Sequence, residues 1–123
     1  MAEFSFVILY VDNPPASADF YTDLLGRPPV EVSPTFAMLP LREGVMLGLW
    51  SRHTVAPAAA AAGGGAEIAL VVGAFDAVDA LHADWSGRGL AIAQSPTVMD
   101  FGRTFVALDP DGHRLRVMAM GEA

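Results

Sequence analysis

Phe101–Val117 reads FGRTFVALDPDGHRLRV, and the way this stretch turns back on itself decides the fold. Thr104–Leu108 is β-branched and apolar, as a strand should be. Asp109-Pro110-Asp111-Gly112 is a turn: Pro110 pre-sets φ, the aspartates can bond nearby backbone, and Gly112 tolerates a positive φ. Leu115 and Val117 then alternate with Arg114 and Arg116, so a second strand returns with one apolar and one charged face. The stretch is a β-hairpin.

It has an echo upstream. Phe36–Leu39, the turn Pro40-Leu41-Arg42-Glu43-Gly44 and Val45–Trp50 repeat the plan, and in both copies a Leu follows the turn glycine by three (Gly44 to Leu47, Gly112 to Leu115). Gly26-Arg27 and Ser33-Pro34-Thr35 are likewise answered by Gly87-Arg88 and Ser95-Pro96-Thr97. The chain is an internal duplication.

Outward from the hairpins, each half takes the same order. Phe4–Val11 is a strand apolar at nearly every position, which predicts burial on both faces. Asn13 before Pro14 caps a helix whose apolar stripe runs through Phe20, Tyr21, Leu24 and Leu25, and Gly26 ends it. A short strand near Pro29–Val32 precedes the first hairpin. Ser51–Ala66, with Ala58–Ala62 and Gly63-Gly64-Gly65, is a linker in which the alanines allow a helical turn. Glu67–Val72 is a strand, Phe75–Trp85 a helix with Val78, Leu81 and Trp85 on one face, and Leu90–Gln94 a short strand. The predicted fold is α+β: two tandem βαβββ modules, about 4–50 and 67–120, in one 123-residue domain. Periodicity alone leaves another duplicated sandwich, such as a ferredoxin-like pair, open.

Composition narrows the function. The chain has no Cys, so thiol chemistry and disulfides are excluded. The net charge is −7 and all seven basic residues are Arg, which argues against a nucleic-acid partner. No apolar run approaches the roughly 18 residues of a membrane span, and the first residues lack the basic region of a signal peptide; a cytoplasmic protein is expected. The hydrophobic fraction of 53% calls for a dimer interface or an apolar cavity.

Asn13-Pro14-Pro15-Ala16-Ser17-Ala18-Asp19-Phe20-Tyr21-Thr22-Asp23-Leu24-Leu25-Gly26 resembles the D-x-x-x-S-x-x-F-Y-x-x-x-L-G helix of the vicinal oxygen chelate superfamily. Asp109-Pro110-Asp111-Gly112-His113 is similar to its terminal turn. That superfamily holds glyoxalase I, extradiol dioxygenases, fosfomycin-resistance enzymes and bleomycin-resistance binding proteins. The resemblance implies a curved mixed sheet with helices on its convex side, in a dimer whose modules the linker could exchange between chains. It also implies four metal-ligand positions, which fall here on Phe6, Gly48, Glu67 and Arg116. Phe and Gly offer no ligand and Arg repels a cation, so no metal and no other cofactor is expected.

Strand parity points the same way. One parity is aliphatic, from Val7, Leu9 and Val11 to Leu115 and Val117; the other mixes Phe6, Met46, Gly48, Trp50, Glu67 and Arg116. The second suits an apolar pocket with a few orienting polar groups. Phe36, Met38 and Phe105 are assigned to its lining, and Phe101 to a lid or a loop anchor. Trp50 is read either as a ligand-stacking ring or as a structural Trp at an interface. Glu67 and Arg116 are read as a mutual ion pair or as a polar clamp on ligand. His53, His82 and His113 form no constellation; His82 is expected on the exposed side of its helix. No residue is assigned a catalytic role. The expected function is metal-free sequestration of a flat, apolar or amphipathic molecule, an antibiotic by resemblance. The alternative is a glyoxalase- or dioxygenase-like enzyme, without the usual metal site, in which an apolar wall raises the pKa of Glu67 as general base.

Overall fold

The computed structural model describes residues 1–121. Two compact units, Met1–Ala61 and Ala62–Ala123, carry the same element order. In the first, β1 (Phe6–Val11), α1 (Pro14–Leu25), β2 (Glu31–Val32), β3 (Phe36–Arg42) and β4 (Val45–Ser51) give a sheet of order β1-β4-β3-β2. In the second, β5 (Glu67–Val71), α2 (Phe75–Gly87), β6 (Ala91–Met99), β7 (Gly102–Leu108) and β8 (Arg114–Met120) give β5-β8-β7-β6. Each sheet is mixed, with one parallel pair and two antiparallel pairs. The α+β duplication is therefore present as two four-stranded sheets.

The repeat is faithful to the residue. Phe6 pairs with Met46 and Ile8 with Gly48, as Glu67 pairs with Arg114 and Ala69 with Arg116. Phe36 faces Trp50 as Thr104 faces Met118. Position 6 thus corresponds to 67, 36 to 104, 48 to 116 and 50 to 118.

The local signals behave as their chemistry requires. Asn13 Oδ1 accepts from the Ala16 amide at 3.1 Å, Pro14 opens α1, and Gly26 at φ 71° closes it. In the decisive hairpin, Asp109 Oδ1 accepts from the amides of Asp111 (2.9 Å) and His113 (2.8 Å). The Gly112 amide donates to the Asp109 carbonyl at 3.0 Å. One carboxylate therefore fastens the whole turn.

Each helix covers one face of its own sheet. Tyr21, Ala37, Leu39, Leu47 and Leu49 are fully buried in the first unit, and Val78, Phe105, Ala107 and Val117 in the second. Burial of these side chains contributes about 1.5–3 kcal/mol for each large one, and they form the cores. The opposite face of each sheet has no helix over it.

Four expectations are corrected. Strand β1 is not buried on both sides: Phe6, Ile8 and Tyr10 are 42%, 43% and 39% exposed on the helix-free face. Strand β2 is only two residues, whereas β6 runs for nine, its pairing with β7 shifted at two bulges. Ala58–Ala62 forms no helical turn. Within the glycine run, Gly63 packs so closely on the DPDG turn that a Cβ would lie 2.7 Å from the Gly112 carbonyl carbon. Among the described residues no helix is long and apolar enough to cross a membrane.

Candidate functional site

Alternation along the strands sends every second side chain to the helix-free face. In the first unit that face carries Phe6, Ile8 and Tyr10 from β1, Met46, Gly48 and Trp50 from β4, and Phe36 and Met38 from β3. Phe36 and Trp50 meet edge to face, ring centroids 6.1 Å apart at 83°, a favourable quadrupole arrangement. Gly48 is covered rather than vacant. A Cβ there would lie 3.0 Å from Phe36 Cζ and 3.2 Å from Ile8 Cγ1. The glycine makes room for the Phe36 ring, so a ligand finds that ring and not bare backbone.

The helix-free face of the second unit is polar where the first is aromatic. Arg116 donates from Nε and Nη2 to the two carboxylate oxygens of Glu67, at 2.8 and 2.9 Å. Its Nη1 donates to Gln94 Oε1 at 3.3 Å and to Thr104 Oγ1 at 3.2 Å. Arg114 approaches Glu67 more loosely, at 3.6 Å. The Arg116 hydrogen bonds hold the Glu67 carboxyl below its ordinary pKa, outweighing partial desolvation, and the same bonds raise Arg116. The ion pair read from the sequence is present, and the raised-pKa general base is corrected: Glu67 is a stabilised carboxylate with both oxygens occupied.

One aromatic assignment is corrected. Phe105 does not line this face. Its neighbours in β7 alternate, and Phe105 falls under α2, fully buried against Trp85 and His82 with both ring centroids 5.4 Å away. His82 is half-buried rather than on the fully exposed side of its helix, one edge of its ring packing on Phe105. The cue is in the sequence: the duplication aligns Thr104, not Phe105, with the helix-free position Phe36, so Phe105 takes the opposite parity. Phe101 is exposed at the tip of the β6–β7 hairpin, and its carbonyl accepts from the Gly121 amide at 2.9 Å. The residues that sequence reasoning missed are Gln94 and Thr104, which complete the Arg116 network. A lone Gln and a strand Thr carry no motif that could have marked them.

Residues 3–117 match the Glyoxalase/Bleomycin resistance protein/Dioxygenase superfamily. The chain belongs to this superfamily. Within it, the chain is 30% identical over 115 residues to the phenazine antibiotic resistance protein EhpR of Enterobacter agglomerans, covering 89% of this chain and 86% of that protein. The solution structure of protein ATC0852 from Agrobacterium tumefaciens aligns with TM-score 0.90 at 54% identity, over 99% of this chain and 100% of that one. A glyoxalase/bleomycin resistance protein/dioxygenase from Nocardioides aligns with TM-score 0.83 at 24% identity, over 100% and 86%. The last is a likeness of fold.

The superfamily's chelating members hold a divalent metal, and the donor set here does not suit one. Phe6 and Gly48 present no donor atom. Arg116 places guanidinium nitrogens on both oxygens of Glu67, where a cation would have to bind. Among the described residues no group of three or more His, Asp or Glu could hold a metal ion.

Proposed function

We propose that this protein is a resistance-type binding protein that sequesters a flat, apolar or amphipathic compound without a metal and without turnover. The observation that carries the reading is the uncovered aromatic face of the first unit. Phe6, Ile8 and Tyr10 remain about two-fifths exposed beside the Phe36–Trp50 pair, and exposed apolar surface of this kind marks a binding site. The relative named for phenazine resistance supports the ligand class, because a phenazine is a planar fused aromatic. Phe6, Phe36, Met38, Met46 and Trp50 supply contact area, Gly48 gives Phe36 its place, and Phe101 is a candidate lid.

An enzyme reading with Glu67 as base is the weaker one. A carboxylate held deprotonated by a bidentate arginine takes up protons poorly at neutral pH.

Phenazine itself is the probe. Trp85, on the inner face of α2, is 3% exposed, so saturable quenching of tryptophan emission reports Trp50. Trp50→Ala should weaken binding about tenfold, from lost stacking of about 0.5–1.5 kcal/mol plus lost burial. Equal affinity in the variant, or no saturable quenching, overturns the reading.

The same apolar surface supports a homodimer, with exchange of units through 51–66 as one way to build it. Light scattering at micromolar concentration should return twice the 12.9 kDa chain mass. A monomer mass rejects the dimer.

A further inference from the structure

We propose that the helix-free face of the second unit holds a carboxylate-binding subsite centred on Arg114. A depression of about 240 Å³ lies on this sheet, lined by Ala93, Gln94, Val106, Arg114 and Arg116. The two arginines are not equivalent. Arg116 is engaged by Glu67, Gln94 and Thr104 at 2.8 to 3.3 Å, and its side chain is 17% exposed. Among the described residues Arg114 has only the 3.6 Å approach to Glu67, and its side chain is 47% exposed.

Two guanidinium groups therefore share one carboxylate, which leaves a local charge of plus one at the depression. Arg116 cannot turn outward without breaking four hydrogen bonds. Arg114 can turn with the loss of one long contact, and its planar fork matches a second carboxylate. Because Glu67 keeps its bidentate partner, the incoming anion need not displace it. Ala93 is exposed at the edge of the depression, so the hydrocarbon part of an organic acid gains a small apolar contact there that a bare inorganic ion does not. Cations are repelled by the same pair. The subsite rests on this geometry alone and does not require that the first unit bind a ring.

Benzoate, its neutral isostere benzamide and inorganic phosphate are the probes, titrated at constant ionic strength and followed by the ¹H–¹⁵N side-chain signals of arginine and glutamine. Benzoate should shift the Arg114 Nε–Hε and Gln94 amide signals saturably, with benzamide and phosphate at least tenfold weaker. Arg114→Gln should abolish the benzoate response while the Arg116 signal keeps its position, and Trp50→Ala should leave it unchanged. Benzamide as effective as benzoate, phosphate stronger than benzoate, or an undiminished response in Arg114→Gln overturns the proposal. The first two comparisons use the unaltered protein, so the proposal can fail even where a variant does not fold.

Discussion

The two units place the same backbone under opposite chemistry. At corresponding positions the first has Phe36, Gly48 and Trp50, and the second has Thr104, Arg116 and Met118. In the first, a ring fills the space above a glycine; in the second, a guanidinium fills the space beside a threonine. Position 6 is a phenylalanine, and its counterpart Glu67 is the carboxylate that the guanidinium grips. The helix-covered faces vary under a tighter rule. The large buried ring comes from the helix in the first unit, Tyr21, and from the strand in the second, Phe105, packed against His82. A close-packed interior holds its summed volume fixed, whereas an uncovered sheet face holds only its register. Between these two units the chemistry changes on the open side.

The same substitution at the two corresponding positions separates these regimes. Gly48→Leu has no room without expelling Phe36, since even a Cβ would sit 3.0 Å from its ring. It should destabilise the protein by about 1–3 kcal/mol, the usual cost of overpacking, read as the urea midpoint at unchanged m-value. Arg116→Leu meets no such wall. It should cost less, about 1–2 kcal/mol, by leaving Glu67, Gln94 and Thr104 without their donor. An Arg116 variant more damaging than Gly48→Leu would mean that the ion pair, not the aromatic packing, holds the open faces.

The pair also sets a pH signature that the aromatic face lacks. Glu67 has a depressed folded-state pKa, so its contribution is complete above the unfolded value, about 4.3, and is lost as pH falls through the lower folded value. The stability gap between the parent and Arg116→Leu should therefore be constant from about pH 8 to 5 and close below about pH 4. The gap for Gly48→Leu should not follow pH. A gap for Arg116→Leu that survives well below that range would show that the arginine acts through its packed alkyl stem.

Much of the molecule is legible in the chain and some is not, for physical reasons. The hairpins, caps and duplication are readable because Asn13-Pro14, Gly26 and Asp109-Pro110-Asp111-Gly112 act through local backbone chemistry. The Glu67–Arg116 pair follows from register, since strand parity places both on one face. Phe105 is misassigned when aromatic character is weighed above parity. The occupant of the space over Gly48 is invisible, because a rotamer of Phe36 from a different strand decides it. Gly63 looks like linker because its reason for being small is the Gly112–His113 backbone, far along the chain.

The smallest expected effect tests the absent chelate. Equimolar zinc or nickel should leave the melting temperature of the unaltered protein unchanged, whereas a ligand held only by the folded state raises it. Three features of the donor set lead to this. Phe6 and Gly48 contribute no electron pair from a side chain. Arg116 is permanently charged and sits on both Glu67 oxygens. A cation at Glu67 would have to break a bidentate bond and then approach two guanidinium groups, with Arg114 the second. Arg116→Glu is the informative partner variant: it removes the nearer of the two guanidinium groups and adds a carboxylate, so a modest zinc-dependent rise should appear there first. A stoichiometric ion bound to the parent through Glu67 would mean that Arg116 swings aside, and the polar face would then have to be redrawn as a switch between guanidinium and metal.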